Sequence, residues 1–193
     1  MREIEIKLRA PDLAIVAKKL RALGCVLSEA KTQEDRNFVH KDDVRWFDST
    51  THRHWVYPRL RIQKGKPLIL TVKKPINNEM DCVEHELQVG DARAVAEIMK
   101  MFDYYPGVTV KKTRRTTKYK NYSITLDKVE KLGNFVEIER VVKNGNAEKI
   151  QNEMFRWAKE VLGLDRDDLV MKGYDIMMHN KTRYPMSRRN NYA

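Results

Sequence analysis

Several short stretches of this chain carry ionisable side chains two residues apart with apolar residues beside them. Acidic pairs stand at Glu3/Glu5, Glu84/Glu86 and Glu137/Glu139, and basic pairs at Arg59/Arg61 and Lys112/Arg114. Lys7, Lys73 and Asp127 fall in the same register as a neighbouring pair or as Thr71 and Thr125. On an extended strand, residues two apart share one face and lie roughly 6.7 Å apart. Two carboxylates held that way repel unless a cation sits between them, and oxygen-rich carboxylate sets suit Mg²⁺ or Mn²⁺. Paired Arg and Lys suit phosphate oxygens, Arg by forked hydrogen bonds and Lys as a point charge. Both kinds of pair around one cavity describe a site for a metal-bound polyphosphate.

The competing reading is a solvated face, since antiparallel sheets commonly have one wet side. The sorting of charge argues against it: the acidic and the basic pairs fall on separate strands, whereas a solubilising surface intersperses them. Burying so many charges in an ordinary core would be prohibitively costly. A closed sheet with a charged lumen and apolar outer faces reconciles the two.

The elements that must position these residues follow from periodicity. Glu3 to Arg9 alternates charged and apolar residues strictly, which is a strand. Further strands are expected at Arg59–Gln63, Leu68–Lys74, Asp81–Val89, Val108–Thr117, Tyr122–Val129 and Asn134–Val142, with extended chain from Val26 to Val39. Helices are expected from Pro11-Asp12 to Gly24, from Asp91 to Phe102 and from Asn146 to Gly163, the first opened by a proline tolerated in the first turn, the others by Asp91 and Asn146 as caps, and the first and third closed by glycine. A short helix is expected between Arg166 and Met178, and a long loop or loose hairpin from Lys41 to His54. Residues 1–178 read as one domain and 179–193 as a basic, disordered tail. The fold class is therefore α+β with a large antiparallel sheet of about eight strands.

The balance of 38 Lys and Arg against 27 Asp and Glu gives a formal net charge of +11, which biases the protein toward polyanions. Two cysteines are too few for a disulfide framework, and neither lies in a metal-type spacing. With no signal-peptide core and no run near the roughly 20 apolar residues of a membrane span, a cytoplasmic protein is expected.

Taken in order, these motifs resemble the CYTH proteins, or triphosphate tunnel metalloenzymes. Glu3-Ile4-Glu5-Ile6-Lys7 resembles the family's Glu-x-Glu-x-Lys signature. Arg59-Leu60-Arg61, Leu70-Thr71-Val72-Lys73, Glu84-His85-Glu86 and Lys112-Thr113-Arg114 resemble its central strands. Leu126-Asp127-Lys128-Val129 and Phe135-Val136-Glu137-Ile138-Glu139 resemble its C-terminal hairpin. The resemblance implies a closed eight-stranded antiparallel barrel with helices packed outside. It implies substrate binding by Lys7, Arg59, Arg61, Lys73, Lys112 and Arg114, metal binding by Glu3, Glu5, Glu137, Glu139 and Asp127, and catalytic roles for Lys7, Asp127, Glu84 and Glu86. The doublets Lys111-Lys112 and Arg114-Arg115 leave open which member of each faces inward.

The layout resembles the class IV adenylyl cyclase branch, which includes a Lys-x-Tyr element matched here by Lys172-Gly173-Tyr174, with Gly173 where the family pattern has Ser. That implies conversion of ATP to cyclic AMP and pyrophosphate with Mg²⁺ or Mn²⁺; the alternative is an inorganic or thiamine triphosphatase releasing orthophosphate. The expected partner is a nucleoside triphosphate or inorganic polyphosphate, in a homodimer, with neither membrane nor nucleic acid. An RNA-binding module using Lys111 to Arg115 and Arg188-Arg189 is the rival from another class, and its difficulty is the acidic pairs. The aromatics Trp46, Phe47 and Trp55 could stack on a base or pack in their own loop. His52 and His54 alone are more often surface residues than a zinc site.

Overall fold

The computed structural model describes residues 2–42 and 56–183. Trp46, Phe47, Trp55, His52 and His54 lie outside the described residues, as do Arg188 and Arg189.

Eight antiparallel strands form a closed barrel: β1 (Arg2–Arg9), β2 (Lys31–His40), β3 (Tyr57–Ile62), β4 (Leu68–Pro75), β5 (Asp81–Val89), β6 (Tyr104–Tyr119), β7 (Tyr122–Val129) and β8 (Gly133–Val142). Around the barrel they run β1-β5-β4-β3-β2-β6-β7-β8, and β8 returns to β1. The β1–β8 seam is long, from Arg2↔Val142 to Arg9↔Phe135. The β1–β5 seam is short, from Arg2↔Val83 to Ile4↔Asp81. Beyond it the edge of β1 would carry unpaired backbone groups, which is costly in a buried place. Glu5 N–H donates to Met80 O at 2.8 Å, and Val170 N–H donates to Lys7 O at 2.8 Å beside a Leu8↔Leu169 bridge. A C-terminal segment thus completes the barrel wall.

The alternation in β1 is used as expected. Ile4, Ile6 and Leu8 point outward into the main apolar core, under α1 (Leu13–Ala22) and α3 (Ala147–Trp157). Ile124, Leu126, Val136 and Ile138 join them, with Val16 and Leu20 from α1 and Ile150 and Met154 from α3. Each such fully buried aliphatic side chain contributes about 2 kcal/mol of apolar burial. A smaller core sets Val95 of α2 (Ala92–Met101) against Phe38 and Leu60. The caps are Asp12, Asp91 and Asn146, whose side chains accept from Ala14 N, Arg93 N and Lys149 N respectively. Gly163, at φ +68, closes the π-helical turn Ala158–Leu162 that prolongs α3, in a left-handed conformation that suits glycine.

One expectation is corrected. The helix placed between Arg166 and Met178 is a three-residue 3₁₀ turn, Arg166–Asp168, then extended chain, then α4 (Tyr174–Arg183). The pairing of Val170 with β1 competes with helix formation there. Helix α4 also passes residue 178, so positions 179–183 assigned to the tail are helical, and 184–193 lie outside the described residues. No described helix is long and apolar enough to cross a membrane, a statement that says nothing of strands.

Candidate active site

The barrel encloses a cavity of about 300 Å³, at the lower end of the range for small-molecule sites. Strand alternation aims one face of every contributing strand into it. Lys7, Arg59, Arg61, Lys73, Lys112 and Arg114 all line it. So do Glu3, Glu5, Glu84, Glu86, Glu137 and Glu139. The doublets resolve cleanly: Lys112 and Arg114 face in, while Lys111 is exposed outside near Glu34 and the Arg115 side chain donates to Ser28 O.

Asp127 has a different place from the one expected. It is fully buried and does not line the cavity. Its carboxylate takes Arg114 Nε at 2.7 Å and accepts from the Tyr174 hydroxyl at 3.1 Å. Arg114 reaches on to Glu137 at 2.6 Å. The geometry therefore makes Asp127 a group that aims Arg114 into the cavity from behind.

Asp35 was missed by the sequence reading, and it is central. It is 2% exposed and sits on β2 between β3 and β6. Arg61 binds it with a fork at 2.8 and 3.2 Å, Lys112 Nζ lies at 2.9 Å and Arg59 at 3.7 Å. One carboxylate thus holds three of the six cations. Burial would raise its pKa, but Lys112, Arg59 and Arg61 outweigh that and hold it well below the usual range.

The other charges fall into linked pairs. Lys7 Nζ lies 3.3 Å from Glu137 and 3.7 Å from Glu5. Burial alone would raise Glu137, but Lys7 and Arg114 hold it well below the carboxylate range. Lys73 pairs with Glu84 and lies 3.7 Å from Glu3. At the acidic side repulsion shows. Burial, a hydrogen bond to Glu84 and the charge of Glu139 push Glu3 up to about 8, and burial with Glu5 raises Glu139, which faces Glu5 directly across the β1–β8 seam.

The donor set is suited to a divalent cation. Among the described residues six cationic side chains line the cavity against nine carboxylates, the nine including Asp35, Glu79 and Asp175. Such a lining does not attract a polyanion by itself, and a cation beside Glu3, Glu5 and Glu139 would relieve their mutual repulsion. No three carboxylate, imidazole or thiol groups among the described residues converge into a self-sufficient metal site.

Lys112 yields a pH prediction. Burial and the charge of Arg114 push it from 10.5 down to about 8. A bound polyanion favours the charged amine and raises this pKa again. Binding should therefore take up a proton above pH 8, with affinity full below pH 8 and falling by up to about tenfold per unit above it. Calorimetric titrations at pH 7, 8 and 9, in buffers of different ionisation heat, measure this. A flat profile without proton uptake would remove Lys112 from the site.

A closed antiparallel barrel with metal-type carboxylates and phosphate-type cations inside defines a triphosphate-tunnel protein. Residues 1–174 match the CYTH domain, and the chain belongs to the CYTH family. The family's substrates are triphosphates, and its members generally use divalent metal ions. A Methanocaldococcus jannaschii protein carrying the name "Putative adenylate cyclase MJ0240" is 28% identical over 178 residues, covering 90% of this chain and 97% of that one. The Pyrococcus horikoshii protein PH1012 shares the fold at a TM-score of 0.73 and 24% identity, over 91% of this chain and 98% of that one. The Hippeastrum protein HpAC1, for which a dominant triphosphatase activity is described, aligns at a TM-score of 0.50 and 14% identity, over 82% and 86%.

Proposed function

We propose that this protein is a metal-dependent enzyme that binds the triphosphate of ATP inside the barrel and releases cyclic AMP and pyrophosphate. The observation that carries the metal-dependent reading is the charge of the cavity wall, where carboxylates outnumber cations. A triphosphate enters such a space together with cations that neutralise it. When bound, Mg²⁺ or Mn²⁺ neutralises phosphate oxygens and aligns the reacting phosphorus for in-line displacement. Glu5 and Glu139, opposed across the β1–β8 seam, would hold it, with Glu3 and Glu137 nearby to accept its waters.

Within this reading the six cations bind phosphate oxygens along the cavity wall, with Lys112, Arg59 and Arg61 grouped at Asp35, Lys7 and Arg114 beside Glu137 and Lys73 beside Glu84. Glu84 orients Lys73. Glu86 accepts the Thr71 hydroxyl at 2.9 Å, and Thr71 in turn lies 3.4 Å from Arg59, so Glu86 steadies Arg59 through that hydroxyl. In the cyclase reaction the ribose 3′-oxygen bonds to the α-phosphorus, the bond from that phosphorus to the β-phosphate oxygen breaks, and the hydroxyl proton is lost to solvent. The relative from M. jannaschii supports this reaction by name.

A second reading, hydrolysis of a terminal phosphate, is favoured by one feature. The described lining addresses phosphates through many charges, while Tyr57, opposite Lys73, is its one ring beside Tyr174. Product analysis separates the two. The protein is incubated with ATP, thiamine triphosphate or tripolyphosphate and Mg²⁺ or Mn²⁺, and the products are resolved by ion exchange. Cyclic AMP with equimolar pyrophosphate is the expected result; orthophosphate without cyclic nucleotide would establish the triphosphatase. In either case Glu5→Ala should remove metal-dependent turnover while the circular dichroism spectrum is retained. Full activity in that variant would overturn the metal assignment.

A further inference from the structure

The cavity does not account for the basic character of the chain. Of the 38 Lys and Arg residues six line it, and of the 27 Asp and Glu residues nine do. The lining therefore carries a formal charge of −3 and the rest of the chain +14. A surplus of that size outside the barrel draws polyanions to the outer surface, whatever the interior holds.

Part of this charge lies on an uncovered wall. Helices α1 and α3 cover the outward residues Ile124 and Leu126 of β7, and α2 covers Phe38 of β2 and Leu60 of β3. Between them the outward face of β2, β6 and the end of β7 is bare. Thr32, Thr113 and Lys128 stand abreast on three adjacent strands. Arg36 stands opposite Thr109, and Glu34 opposite Lys111. Glu34 is half-buried and the others are exposed. Lys131 follows in the turn between β7 and β8, where the Lys181 side chain donates to its carbonyl. A recess of about 260 Å³ lies between Lys111 and Lys131, with Thr109, Glu130 and Met178 completing its wall.

The side chains on this wall are mainly amines, a guanidinium and hydroxyls, all of them donors to phosphate oxygens. Two carboxylates accompany them: Glu130, and Glu34, which holds Arg36 at 2.8 Å and Lys111 at 3.7 Å. The exposed apolar residues Tyr105 and Val26 lie beyond the two ends of the face rather than within it. A membrane surface or a protein partner calls for aromatic and aliphatic side chains at the centre of the contact. A nucleic acid backbone does not. Along β6, Thr109, Lys111 and Thr113 offer a donor at every second residue, roughly 6.7 Å apart, close to the step between successive phosphates of an extended strand.

We infer that this wall binds a single nucleic acid strand by its sugar–phosphate backbone, outside the barrel and without reading its sequence. No ring stands on the face to stack a base, so the contact is electrostatic and tolerant of any base. The acidic pairs that oppose a nucleic acid partner face the lumen and do not meet a strand on the outer wall. Of the basic run Lys111 to Arg115, only Lys111 serves this contact: Lys112 and Arg114 face inward, and Arg115 is held by Ser28 O. The inference does not depend on which reaction the barrel catalyses.

The test is fluorescence anisotropy of the full-length protein with short oligouridylate and oligothymidylate, labelled at the 3′ end. Both carry 5′-hydroxyl ends, so neither offers a terminal phosphate to the barrel. Binding is expected with a dissociation constant roughly in the micromolar range at low salt. Four cations, Arg36, Lys111, Lys128 and Lys131, should weaken it on the order of 50-fold between about 50 and 200 mM NaCl. Equal affinity for the two oligomers would show a backbone contact common to RNA and DNA, and tighter binding of oligouridylate would show that the 2′-hydroxyls add to it. Lys111→Glu combined with Lys128→Glu should lower strand affinity on the order of 100-fold and leave tripolyphosphate affinity unchanged. Lys7→Met, inside the barrel, should leave strand affinity unchanged. No binding at low salt, or an affinity indifferent to salt, would overturn the inference without any variant. So would unaltered binding in the folded double variant, or a loss in Lys7→Met that the double variant does not share.

Discussion

Replacing Asp35 by asparagine is expected to cost the ligand-free protein about 3 kcal/mol of stability, the cost of leaving buried ions without their partner. Three cations share that one carboxylate, and Lys112 beside it is buried as deeply as Asp35 itself. The amide keeps the volume and removes the charge, so the loss reports electrostatics rather than packing. Tripolyphosphate with Mg²⁺ should return most of it, because an anion that binds only the folded state supplies charge to the same three cations. Urea unfolding of both proteins, with and without ligand, gives the answer. A loss under about 1 kcal/mol, unaffected by tripolyphosphate, would show that Asp35 does not neutralise the phosphate-binding cations.

The second large effect is expected for Lys7→Met, which preserves the buried stem and removes the amine. Lys7 Nζ sits between Glu137, Glu5 and the Tyr174 ring, at the least accessible part of the cavity. A charge-assisted contact to phosphate in such a place is worth about 1.5–3 kcal/mol. Triphosphate affinity should therefore fall on the order of 100-fold, while affinity for a nucleoside lacking phosphates is unchanged. Unaltered tripolyphosphate affinity by calorimetry would mean that the anion does not reach the depth of the barrel.

How much of this was legible depended on whether a strand's two faces differ in chemistry. In β1 they do: Ile4, Ile6 and Leu8 against Glu3, Glu5 and Lys7, so inward and outward could be told apart at once. In β8 the same holds for Val136 and Ile138 against Glu137 and Glu139. In β2 they do not. Thr32, Glu34 and Arg36 on one side and Gln33, Asp35 and Asn37 on the other are all polar, so nothing local marks Asp35 as interior. Only its register with Arg61 and Val110 across β3 and β6 places it. The doublets of β6 hid their orientation for a related reason, since Lys111-Lys112 and Arg114-Arg115 offer the same charge to both faces.

The segment after Arg166 was misread because its structure is set by distant partners. Val170 completes the edge of β1 and Gly173 donates to Glu79, and neither contact leaves a local period. Asp127 was expected among the metal ligands, but sequence cannot separate a carboxylate that lines the cavity from one buried against Arg114. Burial decides that, and burial is a property of the closed barrel.

The most direct test is a crystal structure of the protein with tripolyphosphate and Mn²⁺, using anomalous scattering to locate the metal. The account predicts a phosphate chain inside the barrel, contacting Lys7, Lys112, Arg114, Arg59 and Lys73, with manganese beside Glu5 and Glu139. An empty barrel, with the anion bound on the outer basic surface near Lys111 and Lys131, would contradict it.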